Sequence, residues 1–123
     1  MKINKIDALV LSSHKVKNTA NFYKNLGLDL VEEKHGDGPL HYACDFGGCH
    51  FAIFESKEGN APAQEFGGAT KIGFNVDDVD LFFKKSIEHG ATEKLKPDNA
   101  LWGRNAVVID PDGRTIEFNG PVK

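Results

Sequence analysis

One order of elements is predicted twice along the chain, and a duplicated unit leaves few folds open. In the first half, 6–12 reads as a strand. Residues 16–26 put Val16, Ala20, Phe22, Tyr23 and Leu26 on one helical stripe, and Gly27 stands where a helix C′ residue does. A strand at 28–33, a loop at 35–39 and two strands at 40–45 and 50–55 around Gly47-Gly48 follow. The second half starts again with a strand at 71–76. A helix capped by Asp77 or Asp78 runs to His89, with Val79, Phe82, Phe83 and Ile87 inward and Gly90 as its stop. A short strand at 91–96, a loop at 97–101 and a hairpin over 102–118, turning at Asp-Pro-Asp-Gly, complete it. Leu9 and Ile72, Val16 and Val79, and Gly27 and Gly90 all stand 63 positions apart, which supports a duplication.

The expected fold class is therefore α+β, with two βαβββ modules forming curved sheets around a cleft. The modules are placed at about 1–56 and 70–123, joined by a Gly-, Pro- and Ala-rich linker over 57–69, in one domain of 123 residues. Neither half is large enough to fold alone with confidence, so the halves are expected to share a core.

Charge excludes some partners. The 15 basic and 18 acidic residues are scattered, which leaves no nucleic-acid footprint. No apolar run approaches the roughly 20 residues that span a bilayer. The apolar stretch 8–11 is too short for a signal peptide, so a cytoplasmic location is the expectation. Cys44 and Cys49 flank the Gly-Gly turn as diagonal neighbours, a poor placement for a disulfide, and read as reduced thiols.

Strand alternation sorts the side chains. Leu9 and Leu11, Phe51 and Ile53, Ile72, Phe74 and Val76, and Ile116 and Phe118 suit the helix side. Ala8, Val10, Ser12, His50, Ala52, Phe54, Lys71, Gly73, Asn75, Thr115 and Glu117 then face the cleft. A two-residue turn sets Asp45 opposite His50, Ala43 opposite Ala52 and His41 opposite Phe54, with Tyr42 on the helix side. The lining combines aromatic rings (Phe54, Trp102, His41) with polar groups (Lys71, Glu117, Asn75, Arg104). That is the make-up of a small-molecule site, and equally of a filled core between two sheets. Glu117 stands out: a carboxylate in an apolar strand needs a partner. His50 finds one in Asp45, while His14, His35 and His89 read as surface residues. No nucleophile elbow and no phosphate-binding glycine loop is present in the sequence.

Three motifs carry a resemblance: Phe22-Tyr23 followed by Leu26-Gly27, the run Val76-Asp77-Asp78-Val79, and DPDGRTIEF over 110–118. With them the chain resembles the vicinal oxygen chelate superfamily, which includes glyoxalase, bleomycin resistance proteins and extradiol dioxygenases. The resemblance implies paired βαβββ modules, often in a homodimer that completes its clefts. In metal-dependent members, ligands sit at four strand positions. Carried over by motif, these fall on Ala8, Ala52, Lys71 and Glu117, of which only Glu117 ligates a metal in the ordinary way. The expectation is therefore no metal and no cofactor, with the Lys71 ammonium replacing the cation and Glu117 as its counter-ion. The plain alternative is a structural salt bridge. Trp102-Gly103-Arg104 resembles the WGR of bleomycin resistance proteins, where the region lines a groove for a flat cationic antibiotic. In the plain reading Trp102 covers a core edge and Arg104 is solvated or paired.

The resemblance thus implies a metal-independent protein that binds a small aromatic or cationic organic compound. Its ligand-binding residues would be His41, Phe54, Asn75, Trp102, Arg104 and Glu117, with Asp45 a second acceptor for a cationic group. Its partners would be that ligand and a second copy of the chain, without nucleic acid or membrane. The alternative is a glyoxalase-like lyase or isomerase, with Glu117 as general base and Lys71 as electrophile. A third reading is an accessory domain without a site.

Overall fold

A computed structural model describes residues 1–56 and 70–123, so the expected linker over 57–69 lies outside the described residues. The chain divides into two compact units, Met1–Ala61 and Pro62–Lys123. In the first, β1 (Ala8–Ser13), α1 (Val16–Asn25), β2 (Val31–Glu33), β3 (His41–Phe46) and β4 (Cys49–Glu55) follow in order. In the second, β5 (Lys71–Asn75), α2 (Val79–Glu88), β6 (Thr92–Ala100), β7 (Gly103–Ile109) and β8 (Thr115–Gly120) repeat it. The strand orders match, β1-β4-β3-β2 and β5-β8-β7-β6. In each sheet the first strand runs parallel to the last and the other pairings are antiparallel. Gly27 and Gly90 end their helices at nearly the same positive φ, 106° and 109°.

Each helix lies on its own sheet through aromatic contacts. Tyr23 meets Phe51 edge-on at 5.5 Å, and Phe82 meets Phe118 at 5.8 Å. Phe51, Ile53, Ile116 and Phe118 are essentially fully buried. Burial of side chains this size contributes about 1.5–3 kcal/mol each. The helix starts differ. Asp78 caps α2 by accepting the Leu81 N–H at 3.1 Å. The α1 entry has no side-chain cap, and instead the buried Ser13 hydroxyl accepts the Lys15 N–H and pairs with Thr19, both at 3.1 Å.

The β3–β4 hairpin has the expected register, with His41 opposite Phe54, Ala43 opposite Ala52 and Asp45 opposite His50. Gly47 and Gly48 both take positive φ, 57° and 77°, as a tight hairpin turn requires. Three boundaries depart from expectation. β1 begins at Ala8 rather than at residue 6. β2 is confined to Val31–Glu33, because 28–30 complete the exit from α1, with the Leu28 N–H on the Tyr23 carbonyl at 3.2 Å. β6 runs to Ala100 and absorbs most of the expected 97–101 loop. Pro97 is tolerated there because β6 is an edge strand whose register shifts between Leu95 and Asp98. Cys44 and Cys49 are free thiols, and burial pushes the Cys44 thiol up. Among the described residues, no helix is long and apolar enough to cross a membrane.

Candidate functional site

Phe118 packs on α2, so alternation turns Thr115, Glu117 and Asn119 to the opposite face of the second sheet. Parallel pairing sets Lys71 beside Thr115, Gly73 beside Glu117 and Asn75 beside Asn119. Antiparallel pairing sets Asn105 beside Asn119. The Lys71 Nζ lies 3.0 Å from Glu117 Oε2. The other carboxylate oxygen accepts from Asn119 Nδ2 at 2.7 Å, and Asn119 Oδ1 accepts from Asn105 Nδ2 at 2.9 Å. The Asn119 hydrogen bond is the main reason the Glu117 carboxyl is held below its usual value. Desolvation opposes this, and the Lys71 ammonium adds to it.

Two amides, Asn119 and Asn105, therefore join the polar cluster around Glu117, from which sequence reasoning left them out. The signal was available, since Asn119 lies two residues beyond Glu117 on one strand face. The Glu117 side chain is 22% exposed and that of Lys71 53%. Such a pair contributes about 0.2–1 kcal/mol, not the 3–5 kcal/mol of a buried one.

The positions that the resemblance assigns to a metal do not fit one. Ala8 and Ala52 offer methyl groups, and Lys71 places an ammonium against the one carboxylate. A cation there would meet one ligand and one repelling charge, so these four positions support no metal-assisted step.

On the first sheet, His41 and Phe54 stack face to face, with centroids 4.3 Å apart and planes 5° from parallel. His41 is buried, and its ring nitrogens face the Pro39 carbonyl at 3.2 Å and Glu33 Oε2 at 3.1 Å. His50 pairs with Asp45 at 2.7 Å, as expected. Tyr42 is on the helix side, with the Lys24 ammonium 4.9 Å from its ring centroid and its hydroxyl donating to Glu32 at 3.3 Å. Burial and the Glu32 charge push that phenol up. His35, expected as a lone surface residue, has an exposed ring that nevertheless lies 3.7 Å from Glu33 Oε2 and 5.2 Å from the His41 ring.

The remaining candidates are placed differently. Asn75 is exposed at the end of β5. Trp102 sits in the β6–β7 turn and is 78% exposed, so it covers no core edge. Arg104 forms a two-pronged ion pair with Asp80 of α2, at 2.7 and 2.9 Å, and donates to Asn99 at 3.1 Å. The guanidinium holds the Asp80 carboxyl below its usual value. Arg104 thus joins α2 to its sheet instead of lying beside Glu117.

The family model for the glyoxalase/bleomycin resistance protein/dioxygenase superfamily matches residues 5–118. Comparison with curated proteins found no match. One similar solved structure is a glyoxylase/bleomycin resistance protein/dioxygenase domain from Frankia sp. EAN1pec, with TM-score 0.75 and 16% identity over 98% of this chain and 99% of that one. A family enzyme from Burkholderia phytofirmans PsJN gives 0.74 and 16% over 95% and 98%. TnmS3, an antibiotic binding protein from Streptomyces sp. CB03234, gives 0.71 and 24% over 98% of both chains. At these identities the likeness is one of fold. The family match, in contrast, runs from before β1 into β8 and takes in both repeats. The chain belongs to the glyoxalase/bleomycin resistance protein/dioxygenase superfamily.

Proposed function

We propose that the protein binds a small aromatic or cationic organic compound without using a metal at the four superfamily positions. The observation that carries this reading is the Lys71–Glu117 pair, a half-exposed ammonium 3.0 Å from a carboxylate held ionised by Asn119. A cationic group on a ligand can take the ammonium's place at Glu117, and the ammonium can swing to solvent at little cost because the pair is weak. The partly exposed Phe54 ring, backed by the stacked His41, offers an aromatic surface. Asn75 and Trp102 are further exposed candidates, whereas Arg104 is already engaged by Asp80. The antibiotic-binding function of TnmS3 supports this class of role within the fold. The lyase or isomerase reading needs Glu117 as a general base. A carboxyl held below its usual value is a weak base at neutral pH, which favours binding. The reading includes a homodimer, as the superfamily resemblance implies, and sedimentation velocity tests that part.

The main test is a titration of chelator-treated protein with a panel of planar aromatic organic cations, followed by the fluorescence of Trp102, the single tryptophan. The expected result is micromolar binding by a member of the panel, unchanged by chelation. Glu117→Gln should weaken it by about tenfold, or about 1.4 kcal/mol. Turnover of a bound compound that Glu117→Gln abolishes would replace the binding reading with the enzymatic one.

A further inference from the structure

The geometry points to a site for a divalent transition metal of the zinc class, formed by Glu33, His35 and His41, none of which is one of the four superfamily positions. Antiparallel pairing sets Glu33 of β2 opposite His41 of β3. The connecting loop turns back at Gly36, with φ 57°, and the Gly38 N–H returns to the His35 carbonyl at 2.9 Å. These features bring the His35 ring over the end of the strand pair. One ligand atom from each of the three side chains lies within 4.8 Å of the others. Glu33 Oε2 is 3.1 Å from His41 Nε2 and 3.7 Å from His35 Nε2. Tetrahedral zinc, with bonds of about 2.0–2.1 Å, holds adjacent ligand atoms about 3.3–3.5 Å apart. A modest rotation of the exposed His35 ring closes the difference.

A count of donors supports the same assignment. The Pro39 carbonyl facing His41 Nδ1 can only accept a hydrogen bond, and the Glu33 carboxylate facing Nε2 also only accepts. A neutral imidazole carries one N–H, so the second of these positions is filled either by a second proton or by a metal ion. With the hydrogen on Nδ1, the Nε2 lone pair and the carboxylate converge on a point that a metal ion fills. A ligating histidine whose second nitrogen donates to a backbone carbonyl is the usual outer arrangement of such sites. The His41 ring is already fixed, being buried and stacked on Phe54. The side chains of His35 and Glu33, 81% and 43% exposed, leave a path for the ion. Two imidazoles and one carboxylate suit zinc and its neighbours rather than calcium or magnesium. Three protein ligands leave a fourth position for water or for an anionic group of a ligand.

The test uses the full-length, chelator-treated protein and zinc alone, by titration calorimetry at neutral pH, with cobalt absorption as a second readout. About one equivalent of zinc should bind with micromolar affinity or tighter, and cobalt should give the intense visible bands of four-coordination. His35→Ala changes an exposed side chain and Glu33→Gln a partly exposed one, and circular dichroism checks that both variants fold. Each should weaken zinc by at least about tenfold, the loss that even outer-shell partners cause. Glu117→Gln and His50→Gln should leave zinc affinity unchanged. Absence of saturable binding, or binding that survives His35→Ala, overturns the site. Loss of binding in the Glu117 or His50 variant also overturns it, by placing the metal elsewhere.

Discussion

The two units use one backbone for two chemistries. β1 and β5 begin at Ala8 and Lys71, and α1 and α2 span Val16–Asn25 and Val79–Glu88, all 63 positions apart. The parallel registers then equate positions on the last strands. Ala8 faces His50 as Lys71 faces Thr115, and Val10 faces Ala52 as Gly73 faces Glu117. Continuing along the strands, the stacked pair His41–Phe54 stands where the other unit has the amide pair Asn105–Asn119. At matched positions one sheet therefore presents an aromatic stack beside Ala52, and the other an amide ladder beside Glu117. The shared features are the apolar alternation and the positive-φ glycines. The divergent ones are polar side chains that the backbone does not require.

The hairpin turns offer the harshest way to break this comparison. The β3–β4 turn relies on two glycines, whereas the β7–β8 turn is locked by charge. Buried Asp110 accepts the N–H groups of Asp112 and Arg114, both at 2.9 Å, and pairs with the Arg114 guanidinium at 3.1 Å. Asp110→Ala removes the acceptor of two turn N–H groups and one of the two carboxylates on the buried Arg114 guanidinium, leaving Asp112 at 2.9 Å, and should cost about 3 kcal/mol. Gly48→Ala meets open space and suffers only from its left-handed φ, about 1–2 kcal/mol. Urea unfolding of both variants checks this. Equal losses would mean that the ion pair adds nothing to the turn.

A middle-sized effect concerns what holds Glu117 ionised. Asn119→Ala and Lys71→Met should each raise the Glu117 carboxyl, because the Asn119 hydrogen bond is the largest single cause of its depression and Lys71 adds both a hydrogen bond and its charge. Carboxyl-detected NMR titration reads both shifts, and an unshifted carboxyl in the Asn119 variant would overturn the assignment. The linkage has a definite sign. A carboxyl depressed on folding stabilises the protein above its unfolded value, about 4.3 for Glu, and that contribution is lost as pH falls through the folded value. Glu117→Gln should therefore remove part of the acid destabilisation seen below about pH 4.3 and leave the neutral-pH slope unchanged.

Much of the fold was legible because it rests on local periodicity. The Gly47-Gly48 turn specified the β3–β4 register residue by residue, and Gly27 and Gly90 marked both helix ends. Pro97 misled, since an edge strand needs no N–H there and a bulge absorbs the misfit. The site was legible only in part. Glu117 and Lys71 were found because charge in an apolar strand is conspicuous, while the neutral Asn119 and Asn105 were not. The Arg104–Asp80 pair joins residues far apart in sequence, and no local pattern announces it. The Glu33–His35–His41 group depends on the path of loop 34–40, which periodicity does not describe. Yet pairing β2 with β3 already sets Glu33 against His41, so half of that group could have been read.

The smallest expected effect separates a functional from a structural pair. Lys71 is 53% exposed and its matched residue in the first unit is Ala8, so the sheet does not need a cation at this position. Lys71→Met should change stability by less than about 1 kcal/mol, by urea unfolding. If the ammonium merely neutralises Glu117, its removal frees the carboxylate, which Asn119 still holds ionised. Affinity for a planar organic cation should then rise, by about threefold to tenfold, while Glu117→Gln lowers it. The double variant should match Glu117→Gln alone, because the ammonium acts on the ligand through Glu117. A stability loss of several kcal/mol in Lys71→Met, with unchanged affinity, would make the pair structural. The difference between the two sheets at this position would then concern packing instead of binding.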